Sequence, residues 1–261
     1  MMKEIYQHFR KEEHDKITML NGKFEIASRD YYPVLLDFLD PRERKIVRSI
    51  AGSYPDLRVE FYGGGTGERE RERAMIIPEL LEAAKDDFEV LVFEIGYPEK
   101  FVTLTHRNVL GAVMNVGLDR SLIGDIITGD RIQLAIAEPY APMFRETLGR
   151  IKNAPVTLTE IPHESFMDAV DDGKSHVILS SSFRLDTVIS EVIKEGRAKS
   201  KSRVEKGKVK VNHSIVTEPS FIMETGDIVS VRHFGRFVID SLIAETRKGK
   251  YRILVRLYRD G

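Results

Sequence analysis

The sequence predicts an α+β chain in three parts, on three observations. A capped helix and a glycine-centred hairpin fill residues 1–78, strands and helices follow the order βαββαβ through residues 79–181, and residues 182–261 open on an amphipathic helix and close in alternating strands. Of 261 residues, 42% are hydrophobic, enough for two or three cores. Cysteine is absent, which removes disulfide and thiolate chemistry and suits a reducing compartment, so the cytoplasm is expected. The opening MMKEIYQHFRKEEHDK has no apolar signal core, and no run reaches the roughly 18 apolar residues of a spanning helix. Neither secretion nor membrane insertion is expected.

In the first part a helix at the N-terminus precedes a better-marked one, with Asp40 as N-cap, Pro41 at the first helical position, Glu43 as reciprocal partner and Gly52 closing it. The runs RVEFY and ERERERAMII flank GGGTG and read as a hairpin, with the acids of ERERER on one side and the bases on the other. In the second part FEVLVFEI (88–95) is a strand, and THRNVLGAVMNVG is a helix presenting Leu110, Val113 and Met114. A strand near Leu122 to Ile127 turns through Thr128-Gly129-Asp130 into RIQLAIA, where Ile132, Leu134 and Ile136 share a face. A helix opened by Pro139 and Pro142 carries Phe144, Leu148 and Ile151 at i, i+4, i+7, and VTLTEI closes the unit. This is the ferredoxin-like, or RNA-recognition-motif-like (RRM-like), topology, which hosts many functions.

The third part follows a DDGKS loop and a short strand, HVIL. In RLDTVISEVIKEG, Leu185, Val188, Ile189, Val192 and Ile193 form a full apolar stripe ending at Gly196. A second helix spans about Lys199 to Lys206, KVKVN is a strand, Gly226-Asp227 turns into DIVSVRHF, and FVIDSLIAE with YRILVRLY forms a hairpin around Arg247-Lys248-Gly249-Lys250.

Charge separates the parts. Residues 1–181 hold 23 Lys and Arg against 31 Asp and Glu, whereas residues 182–261 hold 17 against 10. Such asymmetry points to a polyanionic partner for the last part. Helical spacing aligns Lys199, Arg203 and Lys206 on one face, with Arg197 and Lys201 adjoining. In the strand, Val209 and Val211 point inward and Lys208, Lys210 and Asn212 outward. The interleaved acids of a salt-bridged solvated face are lacking, so the expected result is a contiguous cationic face that phosphates would neutralise. An ordinary solubilising surface is the alternative.

RLDTVISEVIKEGRAKSKSRVEKGKVKVNHSIV followed by GDIVSV resembles the S-four domain, the αL RNA-binding module named for ribosomal small-subunit protein four. The shared features are the Arg-Leu-Asp helix start, Arg197 at the turn, a second helix, Gly-x-Val-x-Val-Asn, and Gly-Asp before the last strand. The sequence departs from the pattern at Gly196, where serine commonly precedes the arginine, and at His213, where glycine usually follows the asparagine. Across the whole chain, HFRKEE, FLDPRE, FYGG, ERERA, KFVTLTHRNVLGAVMNVGL, GDI and HFGR resemble the bacterial YlmH family. That resemblance implies a helical N-terminal part, an RRM-like middle domain and a C-terminal S-four domain in a cytoplasmic, ribosome-associated protein. It also implies quality control of large subunits stalled with peptidyl-tRNA. The expected partners are large-subunit rRNA, tRNA and the ribosome, with division-associated proteins as further candidates, because the family's genes commonly sit near cell-division genes.

The predicted RNA-binding residues are Arg184, Arg197, Lys199, Lys201, Arg203, Lys206, Lys208, Lys210, Asn212, Arg232 and Arg236. Arginines fork onto phosphates, lysines act as point charges, and Asn212 either shapes the turn or touches a sugar. Arg107 and Arg120 are isolated candidates for phosphate contact in the middle part, where RIQLAIA has no aromatic residue for base stacking. An enzyme is not expected. VEFYGGGTGE mimics a methyltransferase glycine loop, but no βαβ unit surrounds it, and Gly117-Leu118-Asp119-Arg120 only faintly resembles a pseudouridine-synthase segment. The runner-up readings are an S-four-domain RNA-modifying enzyme and a protein-interaction factor linked to cell division. The seven histidines show no metal-ligand spacing, so no metal and no cofactor is expected.

Overall fold

The Asp40 carboxylate accepts a hydrogen bond from Glu43 N at 2.8 Å, and the Glu43 carboxylate accepts one from Asp40 N at 2.9 Å, so the expected capping box starts the helix Pro41–Ala51. This is seen in a computed structural model that describes residues 2–7, 9, 13–67, 69–169 and 173–258. Parts of HFRKEE, Glu68 of the ERERER run and the aspartates of DDGKS lie outside the described residues. The chain divides into two compact units, Met1–Val170 and Asp171–Gly261.

The first unit begins with α1 (Met2–Gln7), α2 (His14–Asp30), β1 (Val34–Leu39), α3 (Pro41–Ala51), β2 (Leu57–Tyr62) and β3 (Glu72–Pro78). β2 and β3 form the predicted hairpin, with Tyr62 opposite Arg73, and β1 adds to β3 to give the order β1-β3-β2. The unit continues with β4 (Val90–Gly96), α4 (His106–Asn115), β5 (Ile123–Thr128), β6 (Ile132–Ala137), α5 (Ala141–Thr147), the short pair β7 (Arg150–Ile151) and β8 (Ala154–Pro155), and β9 (Thr157–Ile161). The sheet order β5-β6-β4-β9 is that of a ferredoxin-like fold, all antiparallel.

Both faces of this second sheet are covered. Phe93, Ile95, Leu134 and Ile136 pack with Val109, Val113 and Phe144 of α4 and α5. Val90, Val92, Ala135 and Ala137 pack on the other side with Phe38, Met75 and Ile77 of β1 and β3, together with Phe88 and Phe166. The inward face of α4 is therefore Val109 and Val113, whereas Met114, expected to share it, is exposed. α5 ends at Thr147, so Leu148 is its cap and Ile151 belongs to β7 rather than to a longer helix.

The ERERER segment differs most from expectation. β3 begins only at Glu72, and Arg69 and Arg73 are 3% and 6% exposed. The Arg69 guanidinium donates to the carbonyls of Gly64 (2.8 Å) and Met167 (2.6 Å). Arg71 donates to Ile123 (3.1 Å) and Phe38 (2.8 Å), and Arg73 to Leu36 (3.1 Å) and Phe88 (3.0 Å). Burial lowers the pKa of Arg69 and Arg73, with nearby carboxylates opposing. The buried Asp125 carboxylate accepts from Glu70 N at 2.8 Å and Arg71 N at 2.9 Å. The first boundary, expected at 78/79, therefore falls inside one unit, because these arginines stitch β1 and β3 to the ferredoxin-like sheet.

The second unit contains β10 (Lys174–Ser180), α6 (Leu185–Ile193), α7 (Arg197–Glu205), β11 (Val209–Val211), β12 (Ser214–Ile215), β13 (Ile228–Val231), β14 (Gly235–Glu245) and β15 (Tyr251–Tyr258), in the order β10-β15-β14-β13-β11-β12. Leu185, Val188, Ile189 and Val192 of α6 are buried against Val209, Val211, Val229, Val231 and Phe237. The HVIL strand pairs along β15, with Ile178 opposite Ile253. The contacts therefore divide the chain at 170/171 and not at 181/182. Lys194, at φ 61°, supplies the left-handed cap of α6, and Gly196 instead N-caps α7.

Replacing Asp125 by alanine leaves the Glu70 and Arg71 amides without their acceptor, at about 1–3 kcal/mol for each amide left unsatisfied. In Asp125→Ala, hydrogen exchange at these two amides is expected to accelerate by at least tenfold and the urea midpoint to fall. Unchanged exchange would refute the role given to this carboxylate.

Candidate nucleic-acid interface

The cationic face of the second unit is built around two buried acids. Asp186, in the first turn of α6, receives two hydrogen bonds from Arg184, Nε at 3.1 Å and Nη2 at 3.2 Å, and one from Arg197 Nε at 3.2 Å. Glu195, between the helices, takes Arg203 Nε at 2.9 Å and the Ser200 hydroxyl at 2.9 Å, with Lys199 Nζ at 3.7 Å. Burial pushes the Asp186 carboxyl up, but the hydrogen bonds and charges of Arg184 and Arg197 outweigh it and hold it below the ordinary carboxylate value. Glu195 is likewise held low: burial acts upward, and Arg203, Ser200 and Lys199 act downward more strongly.

These pairs correct the expectation of a face that lacks acids among its cations. Arg203 is only 24% exposed and anchors on Glu195, whereas Arg197 (55%) and Lys199 (70%) remain largely in solvent. Lys201 lies 3.7 Å from Glu205 at the exposed surface, a pairing worth little in water. Lys206, Lys208 and Lys210 are exposed, with Val209 and Val211 buried between them as the alternation requires.

The strand register lines up a further row on the side of the sheet away from α6. Lys210 lies opposite Ser230, Ser230 opposite Arg236, and Arg236 opposite Tyr258, so these four share one row. The Arg236 guanidinium lies 4.9 Å over the Tyr258 ring. Arg232 is exposed and donates its backbone N–H to Lys208 O at 3.0 Å.

Asn212 takes the first of the two roles expected of it. Its side chain donates to Asp227 Oδ1 at 2.7 Å and accepts from Ile228 N at 3.0 Å, so it shapes the turn. Asn212 and His213 both adopt positive φ, 48° and 68°, as the two central residues of the tight hairpin joining β11 and β12. The position where glycine was expected thus holds a histidine in a left-handed conformation, with a buried Nε2 that has no hydrogen-bond partner.

In the first unit, Arg120 is engaged within the fold. It donates to the carbonyls of Ile123 (2.5 Å) and Gly124 (3.2 Å), and burial, aided by the neighbouring Arg71 charge, lowers its pKa to about 10. Arg107 is exposed on α4. The face of the ferredoxin-like sheet away from its helices lies under β1 and β3, which leaves no room there for stacked bases. The glycine loop after β2 has a structural cause: a Cβ at Gly63 would sit 2.6 Å from Arg71 O, and Gly65, at φ +78°, lies against the Arg69 guanidinium. Among the described residues no cluster of three or more His, Cys, Asp or Glu could hold a metal, and no helix is long and apolar enough to cross a membrane.

Residues 83–165 match the family described as "Putative RNA-binding domain in YlmH", and residues 183–229 match the S4 domain, the S-four module expected from the sequence. The chain is 36% identical over 253 residues to "Ribosome-associated protein quality control protein P2" of Bacillus subtilis (strain 168), covering 97% of this chain and 98% of that protein. Among solved structures it is similar to "Cell division protein ylmH from Streptococcus pneumoniae", at 30% identity and a TM-score of 0.54, covering 62% of this chain and 99% of that one.

Two outcomes test this geometry. Because the folded pKa of Asp186 is depressed, its contribution to stability is present above the ordinary carboxylate pKa and lost as pH falls through the folded value. Asp186→Asn is expected to lower stability on the order of 1 kcal/mol at pH 7, the exposure of both arginines keeping the figure small. The gap should close below about pH 4, and a pH-independent gap in urea melts would contradict this. His213→Gly is expected to raise the thermal midpoint, since a left-handed residue with a side chain costs roughly 1 kcal/mol. A lowered midpoint would mean that the ring packs more favourably than its backbone is strained.

Proposed function

The chain belongs to the YlmH family, and from that premise we propose that it docks on structured ribosomal or transfer RNA through its S4 domain. The observation that carries this reading is the shared grip of buried Asp186 on Arg184 and Arg197. One acid inside the domain orients two guanidinium groups at its surface, and Arg197 uses only its Nε for that purpose. Lys199, Lys201, Lys206, Lys208 and Lys210 add exposed positive charge around them. Phosphate contacts of this kind recognise backbone and shape more than sequence.

The finer role follows the named relative. We infer that the protein acts as a ribosome-associated quality-control factor on large subunits holding stalled peptidyl-tRNA, by binding and not by catalysis. The cytoplasm is the compartment in which this would occur. A link to cell division is supported by the name of the pneumococcal relative.

Arg197→Ala combined with Lys201→Ala is the direct test. Removing two phosphate contacts should weaken binding to extracted large-subunit rRNA or to tRNA and lower the slope of log affinity against log salt by about two. The thermal midpoint should fall only slightly, because both side chains are more than half exposed. An affinity and slope equal to those of the unaltered protein would reject the reading.

A further inference from the structure

A second group of cations lies on the β14–β15 hairpin, beyond the residues that match the S4 domain. Arg247, Lys248 and Lys250 occupy the turn and Arg252 follows on β15. All four are exposed, and no ion pair holds any of them among the described residues. The turn itself is ordered. Thr246 N donates to Lys250 O at 2.7 Å, Lys250 N to the Thr246 hydroxyl at 3.0 Å, and Gly249 N to Thr246 O at 2.9 Å, with Gly249 at φ +69°. Like charges are thus gathered on a preformed turn without a paired acid among the described residues to neutralise them.

The strand register locates this turn. β13 pairs with Gly235–Val238 of β14, and Gly226 and Asp227 carry the backbone hydrogen bonding on to Ile239, after which β14 continues toward the turn. Two bulges in its ladder with β15, between Ile239 and Ser241 and between Leu242 and Ala244, bend and twist β14 and make it a poor template for an added strand. At the base of the turn, Tyr251 lies opposite Ser180, and its ring is 5.1 Å from that of Phe183. The next residue is Arg184, which shares Asp186 with Arg197. The turn therefore stands at the arginine end of the sheet. The row containing Lys210 and Arg236 crosses the opposite end, roughly 25–30 Å away along β14.

We propose that the β14–β15 turn is a second RNA-backbone contact, which prolongs the footprint of Arg184 and Arg197 along the phosphates of the same structured RNA. The proposal rests on the RNA-binding reading above. Four cations within 247–252, none held in an ion pair among the described residues, fit a polyanion, and the bulged strand disfavours a protein bound by strand pairing.

The test uses the full chain with Arg247→Gln, Lys248→Gln and Lys250→Gln together, and rRNA extracted from large ribosomal subunits as the probe. Affinity should fall by about tenfold or more and the salt slope by about two to three, with an unchanged thermal midpoint. Lys248→Glu alone, which keeps Gly249 and the turn hydrogen bonds, should give a smaller loss in the same direction. If these variants bind as the unaltered protein does while the Arg197 and Lys201 double variant is weakened, the hairpin proposal is wrong and the S4 reading stands. If neither set weakens binding, both fall. Weaker binding to intact large subunits with undiminished binding to their extracted RNA would assign the turn to a ribosomal protein and overturn the proposal.

Discussion

Three arginines on one short segment donate chiefly to backbone carbonyls, with Asp168 beside Arg69 and Glu89 beside Arg73 as their carboxylate neighbours, and the first unit is organised around them. A guanidinium offers five donors in a rigid fork, so Arg69, Arg71 and Arg73 can each tie together stretches of chain that no strand pairing joins. Asp125 holds the same segment by its backbone amides. The result is a small sheet laid over the face of a ferredoxin-like sheet, with Phe38, Met75 and Ile77 filling the space between them. A fold that elsewhere offers that face to single-stranded bases here uses it as core, and contact with a polyanion passes to other surfaces.

The cationic face of the S4 domain follows a different logic. Its charges are partly compensated from within, by Asp186 and Glu195, which are buried and held ionised by the cations that surround them. Such pairs contribute modestly to stability, but they restrict the rotamers of Arg184, Arg197 and Arg203 before any ligand arrives, which lowers the entropy lost on binding. The lysines have no comparable constraint. The face thus combines a few oriented forks with a diffuse field of mobile point charges.

Much of this was legible in the sequence where a local rule applies. The Asp40 capping box, the apolar stripe of α6 and the alternation of Val209 and Val211 with lysines each follow from spacing alone. The S4 motif was readable for the same reason: its glycines, valines and arginine occupy turns and strand faces with fixed requirements. What escaped the sequence depends on tertiary partners. ERERER has the pattern of a two-sided surface strand, and only the carbonyls of Leu36, Phe38, Phe88 and Ile123 account for arginines turned inward. The partnership of Asp186 with Arg197 bridges two helices, so no periodicity within either helix reveals it. Likewise, β1 was missed because VLLDFL reads as a strand only once β3 lies beside it.

The pairing of β10 with β15 bears on how the protein comes into being. Lys174–Ser180 can find its place only after Tyr251–Tyr258 has been synthesised, since the two strands are neighbours in the sheet although they stand at opposite ends of the unit's sequence. Contacts so distant in sequence form late. While the chain is being made, α6 and the basic segment after it emerge before the sheet that covers their apolar side is complete. A nascent S4 domain would therefore present its positive charge to the RNA of the ribosome synthesising it before its core has closed.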